Sequence, residues 1–318
     1  MLQSYSRHTH HTPQAHNTHH AMRATPVARR PFVALALSAL ALLLLVLAGC
    51  GPSTQASGAG AGPSNAAAHL PSVTITAHDF SFDMPSTIPA GLVHITFVNQ
   101  GDAVHQAQFF HLLPGVTAAQ FIAALKQGGP ASTRSYGVPF GGADETAAGH
   151  TVQVIDQIAP GDYVAACLVF DPVMHMFHYS MGMLASFTAT ASSPASTALA
   201  DDGTIVLLNM SVVVPATLSK PGLRTFKVIN DGPGVHALDI LQLAPGKTAQ
   251  DAQNYLSAPS GPPPYILLGG MGGLAPTAQG WIITQLRPGD YVAACLVVDP
   301  VTHLPHAAMG MLAGFTVA

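Results

Sequence analysis

The chain repeats itself, and that constrains its fold more than any other feature. Residues 160–188, PGDYVAACLVFDPVMHMFHYSMGMLASFT, match residues 288–316, PGDYVAACLVVDPVTHLPHAAMGMLAGFT, at 22 of 29 positions. A weaker match, 9 of 23, joins 98–120 to 229–251. A sequence written twice is two copies of one unit, expected here as domains over 72–190 and 204–318 with a linker at 191–203. Elsewhere the copies diverge, so the shared block is constrained by packing or by chemistry.

Each copy reads as strands. SVTITAHDF (72–80), LVHITFVN (92–99), TIVLLNM (204–210) and LRTFKVIN (223–230) alternate or are β-branched. TVQVIDQI and WIITQL each lead into DYVAACLV through a Pro-Gly step, at Ala159-Pro160-Gly161 and Arg287-Pro288-Gly289, and the spacing predicts hairpin-like turns. One helix per copy is expected, over 117–127 and 248–258, each opening on a threonine cap. The 30 glycines and 26 prolines suit short strands and turns. Short, mostly antiparallel strands with one helical insertion predict an all-β Greek-key sandwich for each copy.

The first 49 residues read as an export signal. Arg29 and Arg30 precede an apolar run, 31–49, that ends in small residues before Cys50. LAGC (47–50) resembles the lipobox of bacterial lipoproteins, which implies cleavage before Cys50 and lipidation of its thiol. An uncleaved membrane anchor is the alternative. The six histidines within 1–21 precede Met22, from which a signal of ordinary proportions would start, so 1–21 reads as a mis-assigned start. Residues 50–71 read as the lipidated cysteine and a flexible tether. The expected location is therefore extracytoplasmic, on the cell membrane. Four of the 11 basic residues and none of the 15 acidic ones lie before position 50. The remainder carries a net −8, which argues against a nucleic-acid partner. Three cysteines are too few for a disulfide framework.

Chemistry-bearing residues recur in the same order in both copies. Asn-x-Gly-x-x-x-His appears as Asn99, Gly101, His105 and as Asn230, Gly232, His236. Later come Cys167, His178 and Met183, then Cys295, His306 and Met311. This order resembles the cupredoxin, or type 1 (blue) copper, family over both domains, and implies two tandem cupredoxin-like sandwiches with one copper ion each. Carried over residue by residue, the resemblance makes His105, Cys167, His178 and Met183 the ligands of one ion and His236, Cys295, His306 and Met311 those of the other. A thiolate, two imidazoles and a weak thioether form the donor set of a copper electron-transfer site. The ten residues between Cys and His make a longer loop than the family's, and His175 and His303 recur three positions before His178 and His306, so they stand as alternative ligands. Asp171-Pro172 and Asp299-Pro300 are expected to stiffen that loop. Taken singly, each residue has a blander reading. The cysteines could be small buried hydrophobes or a Cys167–Cys295 disulfide, the methionines core, and the loop histidines surface groups.

The expected function is membrane-anchored electron transfer, with a redox partner or copper donor in the cell envelope. Cu(I) storage or delivery is a second reading, drawn from the methionines of MHMFHYSMGM, and a metal-free binding module is a third. Enzymes that combine cupredoxin domains use His-x-His pairs, and none occurs after residue 50, so a carrier is expected and not an enzyme.

Overall fold

The computed structural model describes residues 70–191 and 199–318. The expected signal segment, Cys50 and most of the expected tether and linker lie outside them. Among the described residues no helix is long and apolar enough to cross a membrane.

The first copy runs β1 (Ser72–His78), β2 (Ser81–Asp83), β3 (Thr87–Pro89), β4 (Gly91–Asn99), β5 (His105–Leu112), α1 (Ala118–Gly128), β6 (Gly137–Thr146), β7 (Thr151–Ile158), β8 (Gly161–Ala166), β9 (Phe170–Asp171), β10 (Met176–Phe177) and β11 (Leu184–Thr190). The second runs β12 (Thr204–Leu208), β13 (Ser211–Val213), β14 (Gly222–Asn230), β15 (His236–Leu243), α2 (Ala249–Ser257), β16 (Tyr265–Leu274), β17 (Gln279–Leu286), β18 (Gly289–Ala294) and β19 (Leu312–Val317). The all-β expectation is met, with one short α-helix per copy.

Alternation builds the first sheet. β1 and β4 bury every second residue, among them Ile75, Ala77, Val93, Ile95 and Phe97, and face the other side outward. β5 is instead buried along nearly its whole length, because both its faces are covered. Ala107 and Phe109 point into the core between the sheets. Phe110 and Leu112 point the other way, under Phe121 and Leu125 of α1. Burying each of those two helix side chains contributes roughly 2 kcal/mol. Thr117 and Thr248 cap the two helices, each accepting the N–H three residues on, while Gln120 and Asp251 return a bond to the cap backbone.

The two Pro-Gly steps are not hairpins. β7 pairs with β4 and β17, while β8 pairs with β5 and β11, so the step at 159–161 carries the chain from one sheet to the other. The step at 287–289 does the same between β17 and β18. Gly161 and Gly289 hold φ near +150°, a region closed to other residues. The Tyr163 and Tyr291 hydroxyls donate back to the Ala159 and Arg287 carbonyls, both at 2.9 Å, so each corner is fastened by a tyrosine.

The copies share both sheets. One sheet runs β13-β12-β14-β17-β7-β4-β1-β2 and the other β19-β18-β15-β16-β6-β5-β8-β11-β3. The joints are β17 on β7 and β16 on β6, both antiparallel. Ala143 pairs with Met271 and Val154 with Ile282, and the members of each pair are counterparts in the two copies. A pseudo-two-fold axis therefore passes through these pairs, and the repeat meets itself edge to edge. Gln108 bridges the joint like a length of backbone: its amide donates to the Gly273 carbonyl (3.2 Å) and accepts from the Gly273 N–H (2.5 Å). The last residues of the expected tether are part of the fold. Leu70 is 8% exposed and, with partly buried Leu199, packs beside Ile155, Trp281 and Ile283.

Candidate metal centres

Each centre assembles at one end of its copy's strands. His105 opens β5, Cys167 follows β8 directly, and Met183 immediately precedes β11. Because β5 and β8 are antiparallel, the start of one meets the end of the other. The extra residue of a bulge in β6 falls opposite His105 and Ala107, where bulges commonly redirect a side chain. The 167–183 segment then folds back on itself. Cys167 N–H donates to the Met183 carbonyl (3.2 Å), Tyr179 N–H to the Cys167 carbonyl (3.0 Å), and Met183 N–H to the His178 carbonyl (3.0 Å). The second copy repeats the pattern at Cys295, Ala307, Met311 and His306.

Asparagine and glycine of the upstream motif fix the first histidine. The Asn99 side chain donates to the Ala103 and Thr146 carbonyls (both 2.8 Å) and accepts from the Gly101 N–H (2.9 Å). Asn230 does the same with Gly234, Leu274 and Gly232. A Cβ on Gly101 would lie 2.6 Å from His105 Nε2, and one on Gly232 2.7 Å from His236 Cδ2, so a side chain at either position would displace the ring.

The donors converge. His105 Nδ1 and His178 Nδ1 are 3.0 Å apart, and Cys167 Sγ lies 3.3 Å from His178 Nδ1 and 3.9 Å from His105 Nδ1. In the second copy the corresponding separations are 3.2, 3.5 and 3.9 Å. A point equidistant from the three donors lies about 2.0 Å from each in the first triangle and about 2.1 Å in the second, matching a bond from imidazole to a transition metal. All six residues are buried, and Cys167 and Cys295 are free thiols rather than a disulfide. Each sulfur accepts backbone N–H groups, among them Gln106 to Cys167 at 3.5 Å and Ala237 to Cys295 at 3.3 Å. Met183 and Met311 are fully buried in the core cluster that also holds the two cysteines.

His175 and His303 are not brought into either triangle. Both are exposed and adopt left-handed backbone, with φ of +52° and +59°. They turn the loop that Asp171 and Asp299 initiate. Asp171 accepts the N–H groups of Val173 and Met174 (2.7 and 2.8 Å), and Asp299 those of Val301 and Thr302 (3.0 and 2.7 Å). Their recurrence has a conformational cause.

Burial disfavours the charged form of each donor in the two triangles. Burial pushes both thiols up to about 12. Burial, together with the facing histidine of each pair, pulls the His178 and His236 rings down to about 4. His105 and His306 are lowered by burial too.

Two features escaped the sequence. Gln106 donates its side-chain N–H to Asp144 (2.6 Å) and accepts from the Leu168 N–H (3.1 Å), which ties the thiol's neighbour to the joint between copies. There burial holds the Asp144 and Asp239 carboxyls well above the usual range. Asp79, in the turn between β1 and β2, accepts a hydrogen bond from His105 Nε2 at 3.0 Å. A carboxylate only accepts, so Nε2 carries the proton and Nδ1 is left free to bind an ion. The aligned position in the second copy is Asn209, and retention in both copies was the signal that selected ligands, so Asp79 was invisible to it.

No protein-family model matches the chain, and no curated protein matches it. Among solved structures, it is similar to a dithionite-reduced auracyanin from Roseiflexus castenholzii, with 22% identity over 41% of this chain and 99% of that one and a TM-score of 0.27. A multicopper oxidase aligns at 15% identity over 78% of this chain and 89% of that one, with a TM-score of 0.24. A copper nitrite reductase from Nitrosomonas europaea aligns at 13% identity over 78% and 93%, with a TM-score of 0.22. The fold and the two centres described above stand on this chain's own strands and side chains.

Proposed function

We propose that the protein is an electron carrier holding one type 1 copper ion per copy, anchored to the outer face of the cell membrane through a lipid on Cys50. The ligands are His105, Cys167 and His178 in the first copy and His236, Cys295 and His306 in the second, with Met183 and Met311 as weak fourth ligands. The observation that carries this reading is the pair of buried triangles, each of two Nδ1 atoms and one Sγ around a point about 2 Å from all three. A copper ion there supplies one-electron chemistry between Cu(I) and Cu(II), to which thiolate and imidazole are matched donors.

The chain's own residues supply the rest. Asn99 and Asn230 hold the first histidine before any ion arrives, and the backbone N–H on each sulfur stabilises the thiolate. Burial excludes water from the donors. The loop beside His178 carries exposed Phe170, Val173, Met174, Met176 and Phe177, while the second copy exposes Val298 and Val301. These form apolar platforms over which a redox partner can approach. We read a carrier and not an enzyme because no His-x-His pair follows residue 50.

The exposure of Met174 and Met176 in the first loop favours a second reading, Cu(I) storage or delivery, since thioethers select Cu(I). Copper-loaded protein should bind two ions and, when oxidised, absorb strongly in the visible. Cys167→Ser and Cys295→Ser should each remove one ion and about half the colour. Two tightly held ions that stay colourless under mild oxidant would support the storage reading, and no retained metal would overturn both.

A further inference from the structure

The two centres differ in one contact that bears on their electronics. His105 Nε2 donates to the Asp79 carboxylate at 3.0 Å, and that carboxylate also accepts the N–H groups of Asp102 and Ala103 (3.0 and 3.3 Å), which hold it in place. In the second copy the strand pairing places Leu208 opposite Ser211, as His78 lies opposite Ser81. The residue that follows is thus Asn209 where the first copy has Asp79. His236 Nε2 is buried and has no hydrogen-bond partner among the described residues. The next residue, Phe80, packs edge-on against both histidine rings of the first centre, at 6.4 and 5.0 Å between centroids. Its counterpart is Met210, and both take left-handed backbone, φ +64° and +58°.

On the copper reading above, we infer that Asp79 sets the first centre at a lower reduction potential than the second. A carboxylate on the far nitrogen of a ligating imidazole makes that ring a stronger donor. Its negative charge also favours the more positive ion. Both effects stabilise Cu(II) over Cu(I) at His105. Neither operates at His236, whose far nitrogen is uncompensated. An electron given to the fully oxidised protein therefore settles on the second centre. The first centre is the stronger reductant of the two. Asp79 is a positioning residue: it acts through His105 and does not touch the ion.

The test uses the full chain with one centre disabled at a time. In Cys295→Ser only the first centre loads, and in Cys167→Ser only the second. Each is titrated optically against a ferrocyanide/ferricyanide couple. The first centre should be the lower of the two. Asp79→Asn, placed in Cys295→Ser, should lower the oxidised-to-reduced ratio at fixed potential about tenfold, a rise of ~59 mV. Asn209→Asp, placed in Cys167→Ser, should move the second centre the opposite way. Asp79 is 41% exposed, so the asparagine variant should fold, and unchanged copper content would show that it had. Copper retained with equal potentials, or with a first centre unmoved by Asp79→Asn, overturns the inference and leaves the copper reading standing. Absence of copper from both single-centre proteins overturns the copper reading, and this inference with it.

Discussion

Metal binding should release one proton per centre, and the buried thiols determine that number. Burial pushes Cys167 and Cys295 up to about 12, so at neutral pH each thiol keeps its proton until a metal displaces it. Ionising a group five pH units below its pKa costs about 7 kcal/mol, at about 1.4 kcal/mol per unit. A structural soft-metal site contributes roughly 10–16 kcal/mol, enough to offset that and leave a tight complex. The rings contribute no proton, because His178 and His236 are pulled down to about 4 and are neutral near pH 7. The apparent copper affinity should therefore rise about tenfold per pH unit at each centre between pH 6 and 8. Competition against a copper chelator at pH 6, 7 and 8 measures the slope, and an indicator dye in weak buffer counts the protons, two per chain. A flat profile with no proton released would mean the thiols ionise without metal, and the argument from a dry pocket would be wrong. Two protons per centre would mean a histidine is charged in the apo protein.

Three further outcomes follow from contacts at the joint, the first loop and the corners. Burial pushes the Asp156 carboxyl from 3.8 up to about 7, so the folded chain holds a proton there that the unfolded chain releases. Stability should fall by up to about 4 kcal/mol as pH rises from about 4 through 7. Asp156→Asn, which keeps an oxygen for the Gly142 N–H (2.8 Å), should remove that loss; equal urea midpoint shifts in both proteins between pH 4 and 8 would refute it. Asn99→Ala strips three hydrogen bonds from the loop before His105 and should cost about 2–4 kcal/mol, with bound copper falling from two ions to one while the second centre keeps its spectrum. Tyr163→Phe loses the hydroxyl that fastens the first corner and should lower stability by about 1 kcal/mol in urea denaturation; no change would show that Gly161 alone makes the turn.

The repeat made the centres legible, because ligands are what two divergent copies must both keep. His105, Cys167 and His178 meet although they are scattered over more than 70 positions, and order within the repeat was enough to find them. The same filter retained His175 and His303, which recur because the loop needs a left-handed residue there. It discarded Asp79, whose importance is that the copies differ at it. Strand positions followed from alternation, but sheet membership did not. A Pro-Gly step alone does not tell whether it pairs its flanking strands or sends the second to the opposite layer; the nearby tyrosine, whose hydroxyl reaches back across the corner, was the local sign of the second outcome. Leu70 looked like tether because its partners, Ile155, Trp281 and Ile283, come from both copies and lie far away in sequence.

Because the two halves meet along matching edges, each half carries the means of its own association. Severed between residues 191 and 203, the first half would bare the hydrogen-bonding edges of β6 and β7, and the second half those of β16 and β17. Such edges seek strands, and the complement that fits each half is the other half, since Gln108 of the first takes both backbone groups of Gly273 in the second. Half-proteins made separately should therefore pair with each other when mixed, first half with second, in preference to pairing with their own kind. In the intact chain the covalent link gives each half a neighbour at high local concentration, so the bare edges close within one molecule before they can recruit another.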